Sequence, residues 1–194
     1  MSVNLTSGTT SGGDAQGDTL SGIENLTGSA FLMTRLPQGS THFPYTAVVR
    51  SSLQGGGGAD TLIGGLGVDL VDYAASTTAV TIDLGAGTGV GGDAQGDSFS
   101  GIENIQGSAN ADVITGNASA NLILGAAGND TLAGAGGDDS VQGGAGNDIV
   151  TGGAGADSLL GGTGIDILDY TGSSAGVSVH LGTGIASGGD ATGD

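Results

Sequence analysis

Over most of the chain, large apolar residues come in short clusters of one to three, separated by polar stretches rich in glycine. From Gly107 the sequence divides into seven nonapeptides: GSANADVIT, GNASANLIL, GAAGNDTLA, GAGGDDSVQ, GGAGNDIVT, GGAGADSLL and GGTGIDILD. Two more, GGGGADTLI and GGLGVDLVD, begin at Gly55 and Gly64. The eighth position of these units reads Leu62, Val71, Ile114, Ile123, Leu132, Val141, Val150, Leu159 and Leu168, aliphatic throughout. A strand directs alternate side chains to opposite faces, so the last three residues of each unit predict a short strand with one inward side chain. Glycines at the first, second and fourth positions give a turn access to positive φ. A turn and a strand make half a coil. Two units make a full coil of 18 residues, each pairing with its neighbours at about 4.8 Å. The predicted fold is all-β: a parallel β-roll or β-solenoid, most naturally right-handed, with 18 residues per coil, Gly-rich turns and two thin ladders of Leu, Val and Ile as its interior.

A longer period lies above the short one. GGDAQGDTLSGIENLTGS at Gly12 returns as GGDAQGDSFSGIENIQGS at Gly91 and begins again as GGDATGD at Gly188. The two intervals, from Asp14 to Asp93 and from Asp93 to Asp190, differ by 18 residues, two nonapeptides. The chain therefore reads as a partial connector (1–30), an atypical segment (31–54), a short repeat block (55–72), a connector (73–106), a main roll (107–169) and a third, incomplete connector (170–194). It looks like a window on a longer array. The atypical segment FLMTRLPQGSTHFPYTAVVRSSLQ holds both Arg, both Pro and no acid, yet spans the right length to keep nine-residue register. Either compensating frameshifts in the encoding DNA or an inserted loop would produce it. Sequencing the DNA decides between them, and in both cases these slots should bind no ion.

The sixth position carries the chemistry. It reads Asp60, Asp69, Asp112, Asn121, Asp130, Asp139, Asp148, Asp157 and Asp166. In an 18-residue coil, Asp112, Asp130, Asp148 and Asp166 stack on one edge, and Asn121, Asp139 and Asp157 on the other. Like charges about one strand spacing apart repel by roughly 1 kcal/mol in water and more at lower dielectric. Twice a Ca²⁺–oxygen bond of about 2.3–2.6 Å spans the same gap, so Ca²⁺ fits between stacked carboxylates. Carbonyls of the turn glycines (Gly125, Gly134, Gly143, Gly144, Gly146, Gly152, Gly153, Gly155, Gly161, Gly162 and Gly164) can complete its ligand set. Mg²⁺ needs shorter bonds in strict octahedral geometry, and Zn²⁺ prefers Cys or His. The central pairs should be best. Asn121 lacks a charge, and GSANAD and GNASAN lack the turn glycines. Asp60 and Asp69 would need acidic neighbours at 42, 51, 78 or 87 and find none. In the connectors, Asp14, Asp18, Asp93, Asp97 and Asp190 suit either an ion or a turn. Glu24 and Glu103 suit a strand edge better than a site. Tyr73 and Tyr170 are expected to pack over the ends of the repeat blocks, and His42 and His180 to be bland.

Composition narrows the function. Of 194 residues 44 are Gly and none is Cys or Trp. Leu, Ile, Val and Phe together number only 43, too few for a conventional core. Two basic residues against 20 acidic ones leave a net charge of −18. Nucleic acid is close to excluded as a partner and anionic membranes would be repelled, because two arginines against 20 acids cannot neutralise phosphate. No disulfide or Cys-based metal site can form. No stretch approaches a membrane span, and no signal peptide is visible at Met1. There is no Ser/His/Asp constellation, catalytic carboxylate pair or P-loop, so an enzyme is not expected. An ice-binding or adhesin-type surface is the alternative class. It would show a regular Thr or Asn row, whereas the third positions are Ala127, Gly136, Ala145, Ala154 and Thr163.

GGAGND, GGAGAD and GGTGID, each followed by x-aliphatic-x, resemble the repeats-in-toxin (RTX) nonapeptide, the haemolysin-type calcium-binding repeat. The resemblance is strongest over 107–169 and extends to 55–72. It implies several bound Ca²⁺ ions, type I secretion of an unfolded chain, and folding in extracellular calcium as part of a larger secreted protein. Binding would then supply the folding energy, with affinity of about 10⁻⁴–10⁻³ M.

Overall fold

The computed structural model of the chain describes residues 2–4, 9–11, 32–33, 52–65, 67–174, 176, 178–180 and 185–194. Asp14, Asp18, Glu24 and His42 lie outside the described residues. Near the start, β1 (Ser2–Asn4) pairs antiparallel with β2 (Thr9–Ser11) and parallel with β3 (Leu32–Met33). The following strands are β4 (Ser52–Leu53), β5 (Thr61–Ile63), β6 (Leu70–Asp72), β7 (Thr81–Asp83), β8 (Thr88–Val90), β9 (Ser98–Ser100), β10 (Asn104–Gln106), β11 (Val113–Thr115) and β12 (Leu122–Ala127). Then come β13 (Thr131–Gly136), β14 (Ser140–Ala145), β15 (Ile149–Ala154), β16 (Ser158–Thr163), β17 (Ile167–Leu168), β18 (Ser178–His180) and β19 (Ile185–Ser187).

The chain winds between two sheets as a parallel β-solenoid of about six coils. One sheet stacks β4, β6, β10, β12, β14 and β16 in that order. The other stacks β7, β11, β13, β15 and β17. Within the main roll each strand pairs with the one 18 residues later. Ile123 lies beside Val141 and Val141 beside Leu159. Ile114, Leu132, Val150 and Leu168 do the same on the opposite face. Seven of the nine eighth-position residues are buried inside: Leu62, Val71, Ile114, Ile123, Leu132, Val141 and Val150 are all at most 2% exposed, whereas Leu159 is half-buried and Leu168, in the last strand of the stack, is exposed. One aliphatic side chain per half coil is enough to fill so narrow an interior, which is how a chain with few large apolar residues folds.

The strands of the main roll are longer than the three residues read from the pattern. β12 to β16 each run six residues, into the next unit's first three positions. The second position takes positive φ and still pairs: Ala126 at 85° lies beside Gly144 at 113°. The turn proper is thus reduced to the fourth and fifth residues.

The segment read as a connector does not end the roll. Leu53, Val71, Ile105 and Ile123 follow one another in a single sheet, so residues 52–72 and 104–168 share one stack. On the opposite face β8 and β9 are inserted, giving the order β7-β8-β9-β5 with β7–β8 antiparallel and β9 parallel to β5. Aromatic rings pack against the core at this level. Tyr73, 2% exposed, meets Phe99 edge-on at 6.4 Å. Tyr73 therefore lies within the stack and does not cap it. Residues 169–194 repeat the pattern 97 residues later: β18 and β19 form the same antiparallel pair as β7 and β8, and the 3₁₀ turn Gly92–Ala94 returns as Gly189–Ala191.

Candidate metal centre

Each sixth-position residue stands just before a strand, with its N–H directed along the stack. In the main roll that N–H donates to Oδ1 of the aspartate 18 residues later. Asp112 donates to Asp130 and Asp130 to Asp148 at 2.8 Å, and Asp148 to Asp166 at 3.0 Å. On the other edge Asn121 donates to Asp139 at 2.8 Å and Asp139 to Asp157 at 2.9 Å. The expected column of acids exists on both edges, and Asp130 and Asp148 share one of them.

These carboxylates are not a solvated acidic face. Asp130, Asp139, Asp148 and Asp157 are 1–4% exposed. Their Oδ1 atoms are engaged in the ladder, but their Oδ2 atoms are buried and accept no hydrogen bond. A buried, unpaired carboxylate oxygen costs several kcal/mol, about 2–7 for a neutral polar group and more for an ion. Each Oδ2 lies against the first glycine of its own unit. A Cβ added to Gly143 would sit 2.5 Å from the carbonyl oxygen of Gly161 and closer still to Asp148 Oδ2. The same convergence places Gly143 O beside Asp130 Oδ2 and Gly152 O beside Asp139 Oδ2. Burial, reinforced by neighbouring carboxylates, pushes the Asp130 and Asp139 carboxyls up to about 6 and also raises Asp157. No lysine or arginine lies among the described residues to offset them.

Two units of the roll resolve the same problem without a cation. In GSANAD, Ser108 donates its N–H to Asp112 Oδ2 at 2.6 Å and its hydroxyl to Oδ1 at 2.8 Å, and Val80 N–H adds a third bond. In GNASAN, Asn117 N–H donates to Asn121 Oδ1, and Asn121 Nδ2 donates to the Glu103 carbonyl at 2.7 Å. Ser and Asn stand where the glycine-rich units place a residue at positive φ, and their N–H groups turn inward instead. Asp112 and Asn121 are thus fully hydrogen-bonded, whereas the central units leave one oxygen over.

Asp60 and Asp69 have acidic neighbours after all. Asp60 N–H donates to Asp97 Oδ1 at 2.8 Å, and Asp69 N–H to Glu103 Oε2 at 2.9 Å. The sequence held a signal for both. Asp97-Ser98-Phe99 and Glu103-Asn104-Ile105 repeat the acid-x-apolar triplet, and Phe99 and Ile105 pair with Leu62 and Val71. Their offsets of 37 and 34 residues break the nine-residue phase, which hid them.

Among the described residues, no group of three or more Asp, Glu, His or Cys side chains comes together. An ion here would meet at most two carboxylates and would take its remaining ligands from backbone carbonyls. That donor set suits a large hard cation and excludes a thiolate or imidazole site.

A family model for the RTX calcium-binding nonapeptide repeat matches residues 51–75, 97–132 and 133–168, in four copies. It omits most of the hairpin and 3₁₀ turn, resuming at Asp97. No curated protein matches the chain. With half of its length matched, a stack of 18-residue coils and a column of buried aspartates on each edge, the chain belongs to the RTX calcium-binding nonapeptide repeat family, whose turns bind several calcium ions.

Proposed function

We propose that Ca²⁺ is held between consecutive coils by Asp130, Asp139, Asp148, Asp157 and Asp166 with the carbonyls of the glycine turns, and that this binding folds the chain. The buried Oδ2 atoms that accept no hydrogen bond carry this reading. They fit an oxygen-seeking cation, and the adjoining glycine carbonyls supply more oxygens of the same kind. The bound ion contributes positive charge where stacked carboxylates otherwise repel. Asp60 and Asp69 belong to the same system at the other end of the stack, while Asp112 and Asn121, already hydrogen-bonded, contribute least.

A module of this kind is structural. It stays unfolded where calcium is scarce and folds on reaching calcium outside the cell, as one part of a larger secreted protein whose passage or domain spacing it serves. The acidic, cysteine-free composition and the glycine-rich backbone support this: without cation, charge repulsion and chain entropy both favour the open chain.

Circular dichroism during a Ca²⁺ titration, with Mg²⁺ in parallel, tests it. The expected result is little structure in chelator, a cooperative gain of β signal as Ca²⁺ approaches about 10⁻⁴–10⁻³ M, and little response to Mg²⁺. A chain fully folded in chelator, or folded equally by Mg²⁺, would overturn the proposal.

A further inference from the structure

We propose that the Gly-Asp-Ala-x-Gly-Asp loops complete two additional Ca²⁺ sites, one joining Asp60 to Asp97 and one joining Asp157 to Asp194. This rests on the reading that calcium sits between coils. It adds that the column of ions continues into the non-repeat segments.

Asp60 is 1% exposed, and neither of its carboxylate oxygens accepts a hydrogen bond. Asp97, 2% exposed, stands one strand over, with β9 beside β5. The Asp60 N–H to Asp97 Oδ1 bond is the same one that links successive aspartates in the roll. The loop lies directly on the repeat turn: a Cβ on Gly96 would meet that of Ala59, the residue before Asp60. Two buried carboxylates thus face each other with no basic side chain described nearby. Tyr73 donates its hydroxyl to Asp97 Oδ2 at 2.6 Å. A carboxylate offers about four lone-pair positions, so this bond and the ladder bond fix Asp97 without exhausting it. Tyr73 is a positioning residue, the kind of outer partner that orients a metal ligand.

The arrangement occurs twice. Asp157 N–H donates to Asp194 Oδ1 at 2.8 Å, Tyr170 donates to Asp194 Oδ2 at 2.5 Å, and Asp157 Oδ2 accepts nothing. A Cβ on Gly193 would meet Ala156, as Gly96 meets Ala59. Position by position, the second set repeats the first at an offset of 97 residues. A simple satisfied turn would not need a buried carboxylate with a free oxygen opposite it each time. Where the fold does satisfy an aspartate internally, at Asp112, it brings Ser108 to do so.

The test uses Tb³⁺, which takes calcium sites and is excited through a nearby tyrosine. The chain has no Trp and three Tyr, and a Tyr45→Phe background leaves only Tyr73 and Tyr170. Tyrosine-sensitised emission is expected to fall to roughly half in Asp97→Asn and to nearly nothing in Asp97→Asn/Asp194→Asn, with Tyr73 and Tyr170 still present. Unchanged emission in the folded double variant overturns the proposal. Because the variants could fail to fold, a Tb³⁺-loaded crystal of the unsubstituted chain gives an independent reading. Anomalous peaks at both Asp60–Asp97 and Asp130–Asp148 support it. A peak at Asp130–Asp148 without one at Asp60–Asp97 overturns this inference alone. No peak at either place overturns the calcium reading of the roll as well.

Discussion

The two oxygens of a single aspartate in this fold stand in different situations. Oδ1 of Asp148 accepts the N–H of Asp130 and holds the register, while Oδ2 accepts no hydrogen bond and is the atom the proposed site gives to the cation. Asp148→Asn keeps an acceptor for the ladder but removes the charge facing both neighbouring coils. Calorimetry should show fewer ions and a Ca²⁺ affinity weakened by about tenfold or more. Gly143→Ala puts a methyl into the gap between Asp148 Oδ2 and Gly161 O, and should destabilise the calcium-loaded roll by about 1–3 kcal/mol in thermal melts. Ala126 and Ala135, at φ of 85° and 80°, work the other way. A left-handed backbone costs a side chain roughly 1–2 kcal/mol, partly offset by the entropy of glycine, so each Ala→Gly should raise the melting temperature modestly. Protonation is a partial substitute for the ion. Asp60, Asp130 and Asp139 titrate near 6 in the metal-free fold, against 3.8 when unperturbed. The folded chain then holds protons that the unfolded chain has released. The metal-free roll is at its most stable below about pH 4 and loses stability as pH rises through 6. In chelator, β signal should therefore grow on acidification from pH 7 to pH 4. A flat profile would count against buried carboxylates as the cause of apo instability.

The coil is the element that the sequence displayed most openly. A period of nine with one aliphatic residue per unit maps directly onto inward side chains, and its doubling onto stacked strands, so Ile123, Val141 and the Asp130–Asp148 pair could all be placed from spacing. Three features were hidden for physical reasons. Glycine at positive φ reads as a turn, yet Gly144 and Gly153 stay within paired strands because the parallel neighbour has the same twist at the same place. The carboxylates turn inward because the first glycine leaves room for them, and the room is a property of three dimensions. The pairing of Asp97 with Asp60 and of Glu103 with Asp69 escaped because the inserted strands β8 and β9 shift it out of the nine-residue phase. Deleting Gly125–Gln142 removes one whole coil and should leave a cooperative, calcium-dependent fold with fewer ions, measured by titration calorimetry and circular dichroism. Loss of all folding would show that the coils are not interchangeable.

At the scale of the molecule, the inserted strands β8 and β9 make one side of the stack longer than the other by two strand spacings, about 9–10 Å. Such a wedge tips the long axis away from that side. The loop ending at Asp97 seats on Asp60, ahead of β5 in the eight-stranded sheet, but the loop ending at Asp194 seats on Asp157, ahead of β16 in the six-stranded sheet. The seven nonapeptides between them are an odd number of half-turns, so the two loops sit on opposite flanks of the stack. Removing nine residues would bring both loops to one flank, a change of outline that small-angle scattering would register. Removing eighteen would merely shorten the stack.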